Sequence, residues 1–321
     1  MPTWSSIKNA QITLQTGGKA CGLYANGQNT VGVVLYFETY DENGKPYPIT
    51  SSEAIANSWL IDYIDETPLV YYGGSGWAYS PSAGRFNRVP NVSQSEERKM
   101  DVVDESMLVS NGCYVTYYVY AYEGVSQKTI GFKIQAGKTM YYASNKPNSN
   151  YKANVAITPL DALSFNFSNC KTWGETVKST PYQNQYNQYL QRTDGGKFTS
   201  MQCSSDSGPS PWSIISKNEA PNWHIIWPLG PSSSATFTGG FGFWYNGDPL
   251  YYNQYDGAVC ASRFWHDKGT NTGYMNTYQQ CTFTVWDDYG NSGVFSLARR
   301  EVTWGNTMDY YAGYHDSKNG D

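Results

Sequence analysis

Cys113-Tyr-Val-Thr-Tyr-Tyr-Val-Tyr-Ala-Tyr122 is the stretch that decides the fold class. Every second residue is apolar and β-branched or small at Val115, Val119 and Ala121, with tyrosines and Thr116 between them. A period of two with β-branched and aromatic residues predicts a strand, one face of which packs inward. Working outward, Ala10-Gln-Ile-Thr-Leu-Gln15 alternates in the same way, and Val31-Gly-Val-Val-Leu-Tyr-Phe37 and Ile130-Gly-Phe-Lys-Ile134 read as further strands. Asn26-Gly27 and Asn43-Gly44 are hairpin turn signals, because both residue types tolerate positive φ. Ser51–Tyr63 stays open between a short helix capped by Ser52 and a strand. Strands separated by turns every ten residues or so predict an antiparallel sandwich.

The same punctuation recurs later in the chain at an offset of 164 to 168. Trp59 faces Trp223, Gly73-Gly74-Ser-Gly76-Trp-Ala-Tyr79 faces Gly239-Gly240-Phe-Gly242-Phe-Trp-Tyr245, Cys113 faces Cys281 and Gly137 faces Gly305. The common order predicts two tandem, internally duplicated antiparallel β-sandwich domains with little helix, residues 1–158 and 159–321. Ile157-Thr-Pro159-Leu160 is the expected linker. The two copies part at one insertion. Residues 93–104 hold a charged block, Glu96-Glu97-Arg98-Lys99, whereas residues 251–276 are aromatic and neutral.

The run Leu23-Tyr-Ala-Asn-Gly27, Val33 and Asp41-Glu-Asn-Gly44-Lys-Pro46 resembles the opening strands of bacterial immunoglobulin-like adhesion domains of the invasin/intimin type. The resemblance covers about 40 of the 321 residues. It implies an immunoglobulin-like sandwich and a surface-binding role.

Aromatic residues are 16% of the chain, with 29 Tyr and 11 Trp, while charged residues are only 15%. This balance suits broad Tyr/Trp contact surfaces more than a metabolic enzyme. Net charge is −5 and no basic cluster exceeds Arg299-Arg300, so nucleic acid is not an expected partner. No apolar run is long enough for a membrane-spanning helix. Met1–Ser6 has no basic start followed by an apolar run, so no secretory signal is read; the localisation is left open, with cytoplasmic synthesis and non-classical release as one route. The six cysteines have no C-x-x-C spacing, so zinc is not expected, and without an export signal free thiols are.

No catalytic residue is expected. Gly73-Gly74-Ser75-Gly76-Trp77 misses a nucleophile elbow at its last position. Gly137-Lys138-Thr139 lacks the upstream glycine of a phosphate loop. The acidic turns Asp41–Gly44 and Asp287–Asn291 read as hairpin turns rather than calcium loops. Asp62, Asp65 and Glu66 are a close carboxylate cluster, which keeps a glycoside hydrolase as a distant third reading. The expected ligand-binding residues are Trp265, Tyr251, Tyr252, Tyr255 and Tyr274, aromatics interleaved with Asn and Asp. Such a set stacks sugar rings and satisfies hydroxyls. The expected function is therefore a non-enzymatic protein, without cofactor or metal, that binds glycan or another cell-surface component. The alternative is self-assembly as a structural, particle or toxin-complex subunit.

Overall fold

A computed structural model describes residues 4–90, 111–181, 183–203, 213–214, 222–235, 249–266, 280–298 and 307–309. The described chain is nearly all β and divides into two compact units. The first comprises residues 1–163 with 289–291; the second comprises 164–288 and 292–321.

In the first unit the strands are β1 (Ser6–Leu14), β2 (Ala20–Tyr24), β3 (Val31–Tyr40), β4 (Ser58–Asp62), β5 (Val70–Tyr71), β6 (Trp77–Ser80), β7 (Gly112–Ala121), β8 (Lys128–Ala136), β9 (Thr139–Ala143) and β10 (Val155–Leu160). One sheet runs β1-β3-β7-β6-β5; the other runs β2-β10-β8-β4, with β9 paired to β8. Alternation puts Val31, Val33, Leu35 and Phe37 of β3 and Val115, Tyr117 and Val119 of β7 inside, where they meet Leu60, Ile130, Phe132, Ile134 and Val155 of the facing sheet. This is a sandwich core: each inner face is apolar because successive side chains point to opposite sides.

Ser51–Tyr63 resolves into both structures left open by the sequence. Helix α1 (Ser51–Ala56) is followed at once by β4. Its cap is Thr50 rather than Ser52. The Thr50 hydroxyl accepts from the Glu53 N–H, and the Glu53 carboxylate accepts from the Thr50 N–H, a closed capping box. Ile157–Leu160, expected as a linker, belongs to strand β10. Pro159 is accommodated because β8 pairs only with Val155–Ile157; beyond that point β10 has one neighbour, β2.

The second unit holds β11 (Cys170–Thr180), β12 (Gln183–Arg192), β13 (Ser200–Cys203), β14 (Ser213–Ile214), β15 (Asn222–Ile226), β16 (Ser233–Ala235), β17 (Leu250–Tyr252), β18 (Val259–His266), β19 (Gln280–Trp286), β20 (Ser292–Ala298) and β21 (Thr307–Asp309). Its sheets are β11-β12-β18-β15-β14 and β13-β19-β20-β21, with a separate β16-β17 ribbon. Leu190, Ile226, Val259 and Ala261 of the first face Phe283, Val285, Phe295 and Leu297 of the second.

Two of the three five-stranded sheets, β1-β3-β7-β6-β5 and β11-β12-β18-β15-β14, share one strand order, although β5–β6 is parallel and β14–β15 antiparallel. Numbered by their own order in the chain, the strands of each lie 1-2-5-4-3. The residue correspondence expected at a fixed offset does not follow that path. Trp59 is on β4, in the sheet β2-β10-β8-β4, whereas Trp223 is on β15, in the five-stranded sheet. Cys113 is the second residue of β7, in the sheet β1-β3-β7-β6-β5, whereas Cys281 is on β19 in the four-stranded sheet. Gly239 and Gly305 lie outside the described residues. Turn glycines mark where strands end and not which sheet they join, so they match at similar spacing without a common register. We propose a duplication on the strength of the shared path, not of the fixed offset.

Candidate functional site

The second unit buries polar side chains where a sandwich usually shows water an open face. On β12, Leu190 points into the apolar core, while Gln185, Asn187 and Tyr189 point to the opposite face and are fully buried there. Trp227 and residues 251–254 supply their partners, together with Ser262 of β18. The Gln185 carboxamide pairs with the Tyr251 backbone as a strand would: Tyr251 N–H donates to Gln185 Oε1 at 3.0 Å, and Gln185 Nε2 donates to Tyr251 O at 2.5 Å. Asn187 Nδ2 donates to Tyr251 O at 2.8 Å and to Gln254 Oε1 at 2.9 Å. Ser262 Oγ donates to Asn187 Oδ1 at 2.5 Å and accepts from Trp227 Nε1 at 2.6 Å. A buried amide is tolerable only when its donors and acceptors are used. Here the partners are the backbone and side chains of the loop itself, so the network fixes the loop.

Two further features hold the segment. Asn253 is buried at φ 57°, a left-handed conformation that Asn accepts more readily than most residues, and its Nδ2 donates to Pro228 O at 2.8 Å. Tyr252 stacks on the buried Trp227 with ring centroids 4.0 Å apart and planes 2° from parallel. Tyr251 and Tyr255 are left exposed, at 43% and 38%.

Tyr255 is the centre of a ring cluster. Its ring lies edge-on to Trp173 at 5.1 Å and to Tyr189 at 4.7 Å, and Trp173 and Tyr189 stack at 5.2 Å. Glu175, two residues along β11 from Trp173, accepts from the Tyr255 hydroxyl at 3.0 Å and lies 3.3 Å from that of Tyr189. The Tyr189 hydroxyl also contacts Gln254 Oε1 and accepts from Asn187 Nδ2. Burial first, then the neighbouring Cys260 thiol and the Glu175 charge, outweigh the Asn187 hydrogen bond and push the Tyr189 phenol far up, so it remains a neutral donor. Lys171 lies over the Trp173 ring at 5.4 Å. The result is a half-open aromatic surface with a carboxylate at its edge, on a rigid support.

Of the five residues expected to bind ligand, three are close in the chain: Tyr251 and Tyr252 end β17 and Tyr255 lies in the turn after it, with Tyr252 stacked on Trp227 as an anchor. The backbone of Trp265 pairs with Asn184 and Asn222 on β18. Tyr274 lies outside the described residues. Trp173 and Glu175 were not singled out by sequence. Their signal was local and faint, an aromatic and an acid two apart on an exposed strand.

The other chemical candidates have structural employment. Asp62 is held by Lys128 at 2.7 Å and caps the turn by accepting from the Ile64 N–H. Burial opposes ionisation of Asp62, but the Lys128 contact and the turn N–H groups outweigh it and lower its pKa. Asp65 accepts from the Thr67 N–H, and Glu66 accepts from the Ser144 hydroxyl at 2.6 Å. Asp41 accepts from the N–H groups of Asn43 and Lys45, closing its own turn. The positive φ of the glycine loop is at Gly76, not Gly73; a side chain at Gly73 would instead strike Val70 and Ala78. Cys21, Cys113, Cys170 and Cys260 carry free thiols, and burial pushes the Cys113 thiol up to about 11. Among the described residues no group of His, Cys, Asp and Glu is placed to hold a metal ion, and no helix is long and apolar enough to cross a membrane.

No family model matches the sequence, and no curated protein matches it. Among solved structures, the chain aligns with the C-terminal domain of the Streptococcus pyogenes antigen I/II-family protein AspA at 9% identity, covering 91% of this chain and 97% of that one, with a TM-score of 0.26. It aligns with the sialic acid binding region of a Streptococcus sanguinis adhesin bound to 3'sLn at 10% identity, covering 96% and 80%, with a TM-score of 0.25. The C-terminal domain of the Streptococcus agalactiae antigen I/II polypeptide BspA aligns at 9% identity over 89% and 97%, with a TM-score of 0.24. All three scores are below 0.5, so these likenesses carry no argument, and the all-β sandwich assignment rests on the sheets themselves.

Proposed function

We propose that this chain is a non-enzymatic carbohydrate-binding protein and that Trp173, Tyr251, Tyr255 and Glu175 of the second unit contact the glycan. One observation carries the reading: the partly exposed Trp173 and Tyr255 rings and the Glu175 carboxylate are held beside each other, on a hydrogen-bond network of Gln185, Asn187, Tyr189, Gln254 and Ser262. Rigid Tyr and Trp surfaces give contact area at low entropy cost, and a few placed polar groups orient the ligand. Both Glu175 oxygens are engaged by tyrosine hydroxyls, Tyr255 on one and Tyr189 on the other, an arrangement that suits orienting a ligand. A glycan array probed with the full chain tests this. Binding to a defined class of oligosaccharide is the expected result; no binding to any glycan would overturn the reading.

A second reading, self-assembly, draws on β11. Among the described residues this eleven-residue strand lies at the end of its sheet, paired with β12, and has a largely exposed flank. An unpaired edge invites another strand, but Lys171 and Lys178 on it work against pairing. Solution mass measured at several concentrations separates the readings: growth with concentration favours assembly, a constant monomer mass favours binding.

A further inference from the structure

The outer face of the first unit's five-stranded sheet carries a row of tyrosines that the glycan site above does not use. Strand alternation sends Val115, Tyr117 and Val119 into the core and leaves Tyr114, Thr116, Tyr118 and Tyr120 half-buried on the other side. From Tyr114 to Tyr120 the row spans about 20 Å at ~3.3 Å per residue. The flanking strand β6 offers only small groups in register, Ser80 beside Tyr118 and Ala78 beside Tyr120. On the other flank Gly32 sits beside Tyr118, with the neutral Gln15 side chain in the space over it. The rings are also held. Tyr36 of β3 packs on Tyr114 at 4.7 Å, and the Tyr120 hydroxyl donates to Gly73 O at 3.2 Å.

Charge decides what such a face can take. The outward residues of β3, β6 and β7 include one ionisable acid, Glu38, and no base. Glu38 is already occupied: Asn9 Nδ2 donates to it at 2.9 Å, Tyr40 at 2.7 Å and Tyr36 at 3.2 Å. Lys8 on β1 lies over the Tyr40 ring at 4.5 Å, beside that carboxylate. Among the described residues of β3, β6 and β7 an anionic ligand would find no cation along the tyrosine row, and a cationic one would have to displace three donors from Glu38. Flat, amphipathic rings with hydroxyl edges and no spare charge suit an uncharged polyhydroxylated chain longer than one sugar ring.

We propose that this tyrosine row is a second carbohydrate-binding surface, one that takes an extended neutral polysaccharide lying along β7. It is independent of the aromatic loop in the second unit. The test is retention of the full chain on insoluble neutral polysaccharides (cellulose, chitin and starch), comparing wild type with Tyr118→Ala, Tyr114→Ser and Tyr255→Ala, with a thermal melt on each. The expected result is retention on at least one of the three, weakened tenfold or more by Tyr118→Ala and by Tyr114→Ser at unchanged melting temperature, and unaffected by Tyr255→Ala. The two outer-face variants check each other if one disturbs the fold. Absence of retention by the wild type, retention unchanged by both outer-face variants, or retention lost through Tyr255→Ala would overturn the proposal. So would concentration-dependent growth in mass that Tyr118→Ala abolishes, since the face would then be an interface between copies. Failure of the loop site leaves Tyr118-dependent retention intact, so the two sites stand or fall separately.

Discussion

Strands β3 and β12 hold the same place, second along the path of their five-stranded sheets, and bury opposite chemistry. β3 buries Val31, Val33, Leu35 and Phe37 against a facing sheet and leaves Val34 and Tyr36 half-buried on the outer side. β12 buries Leu190 in its core, and on the outer side buries Gln185, Asn187 and Tyr189 completely. The difference lies in what covers the outer face. Over β12 a loop lies close enough to lend its backbone, so amides there are bonded to chain instead of water. The comparison teaches that one sheet path serves two tasks. An apolar inner face holds a sandwich together, and a polar outer face can hold a loop in one shape.

The largest expected effect tests the inner face. Leu35→Ala should destabilise the first unit by about 2–5 kcal/mol, because a fully buried branched side chain leaves a cavity between packed sheets. Chemical denaturation followed by tryptophan fluorescence checks this, and a change under 1 kcal/mol would mean the strand is not packed as described.

The next effect sharpens the contrast. Gln185→Leu fills a similar volume but strands the Tyr251 N–H, at a cost of about 1–3 kcal/mol for an unpaired buried group. Stability should fall by that order, and glycan binding should fall with it, because Tyr251 and Tyr255 lose their support. Stabilisation by the leucine would show that the outer face of β12 tolerates apolar burial like an ordinary core.

A smaller effect distinguishes the outer face of β3. The Asn9 amide and then the Tyr40 hydroxyl, helped by Tyr36 and Lys8, hold the Glu38 carboxyl below its ordinary range. A depressed carboxyl pKa adds stability above the unfolded value and loses it as pH falls through the folded one. The acid side of the stability–pH curve, below pH ~4.3, should therefore be flatter in Glu38→Gln than in wild type. Curves of equal slope would mean that these contacts do not discriminate between the charge states of Glu38.

The β class was legible because period-two alternation is local: Cys113–Tyr122 and Val31–Phe37 declare their inner faces within a few residues. Tyr251, Tyr252 and Tyr255 were legible as a cluster for the same reason. Gln183-Asn-Gln-Tyr-Asn-Gln-Tyr189 was not, because a run of amides reads as a solvated strand or turn. Its burial depends on a loop more than sixty residues away, which no local pattern announces. Trp173 and Glu175 were hidden likewise, since their meaning comes from Tyr189 and Tyr255 beside them. The fixed-offset repeat misled because it weighed turn glycines and single aromatics, which mark where strands end and not which sheet they join.

The measurement that tests the central claim most directly is a calorimetric titration of the full chain and of Tyr255→Ala with the best oligosaccharide from the array. Tyr255 is 38% exposed but packs edge-on against Trp173 and Tyr189 and bonds to Glu175, so its removal should cost about 1–3 kcal/mol of stability through the two lost ring pairs and the hydrogen bond. The account predicts a Kd at least about tenfold weaker for Tyr255→Ala, a loss of roughly 1.4 kcal/mol, at a temperature where the thermal melt shows both proteins folded. Equal affinity for the two proteins would contradict it, and the aromatic loop would then be a structural cover rather than a binding site.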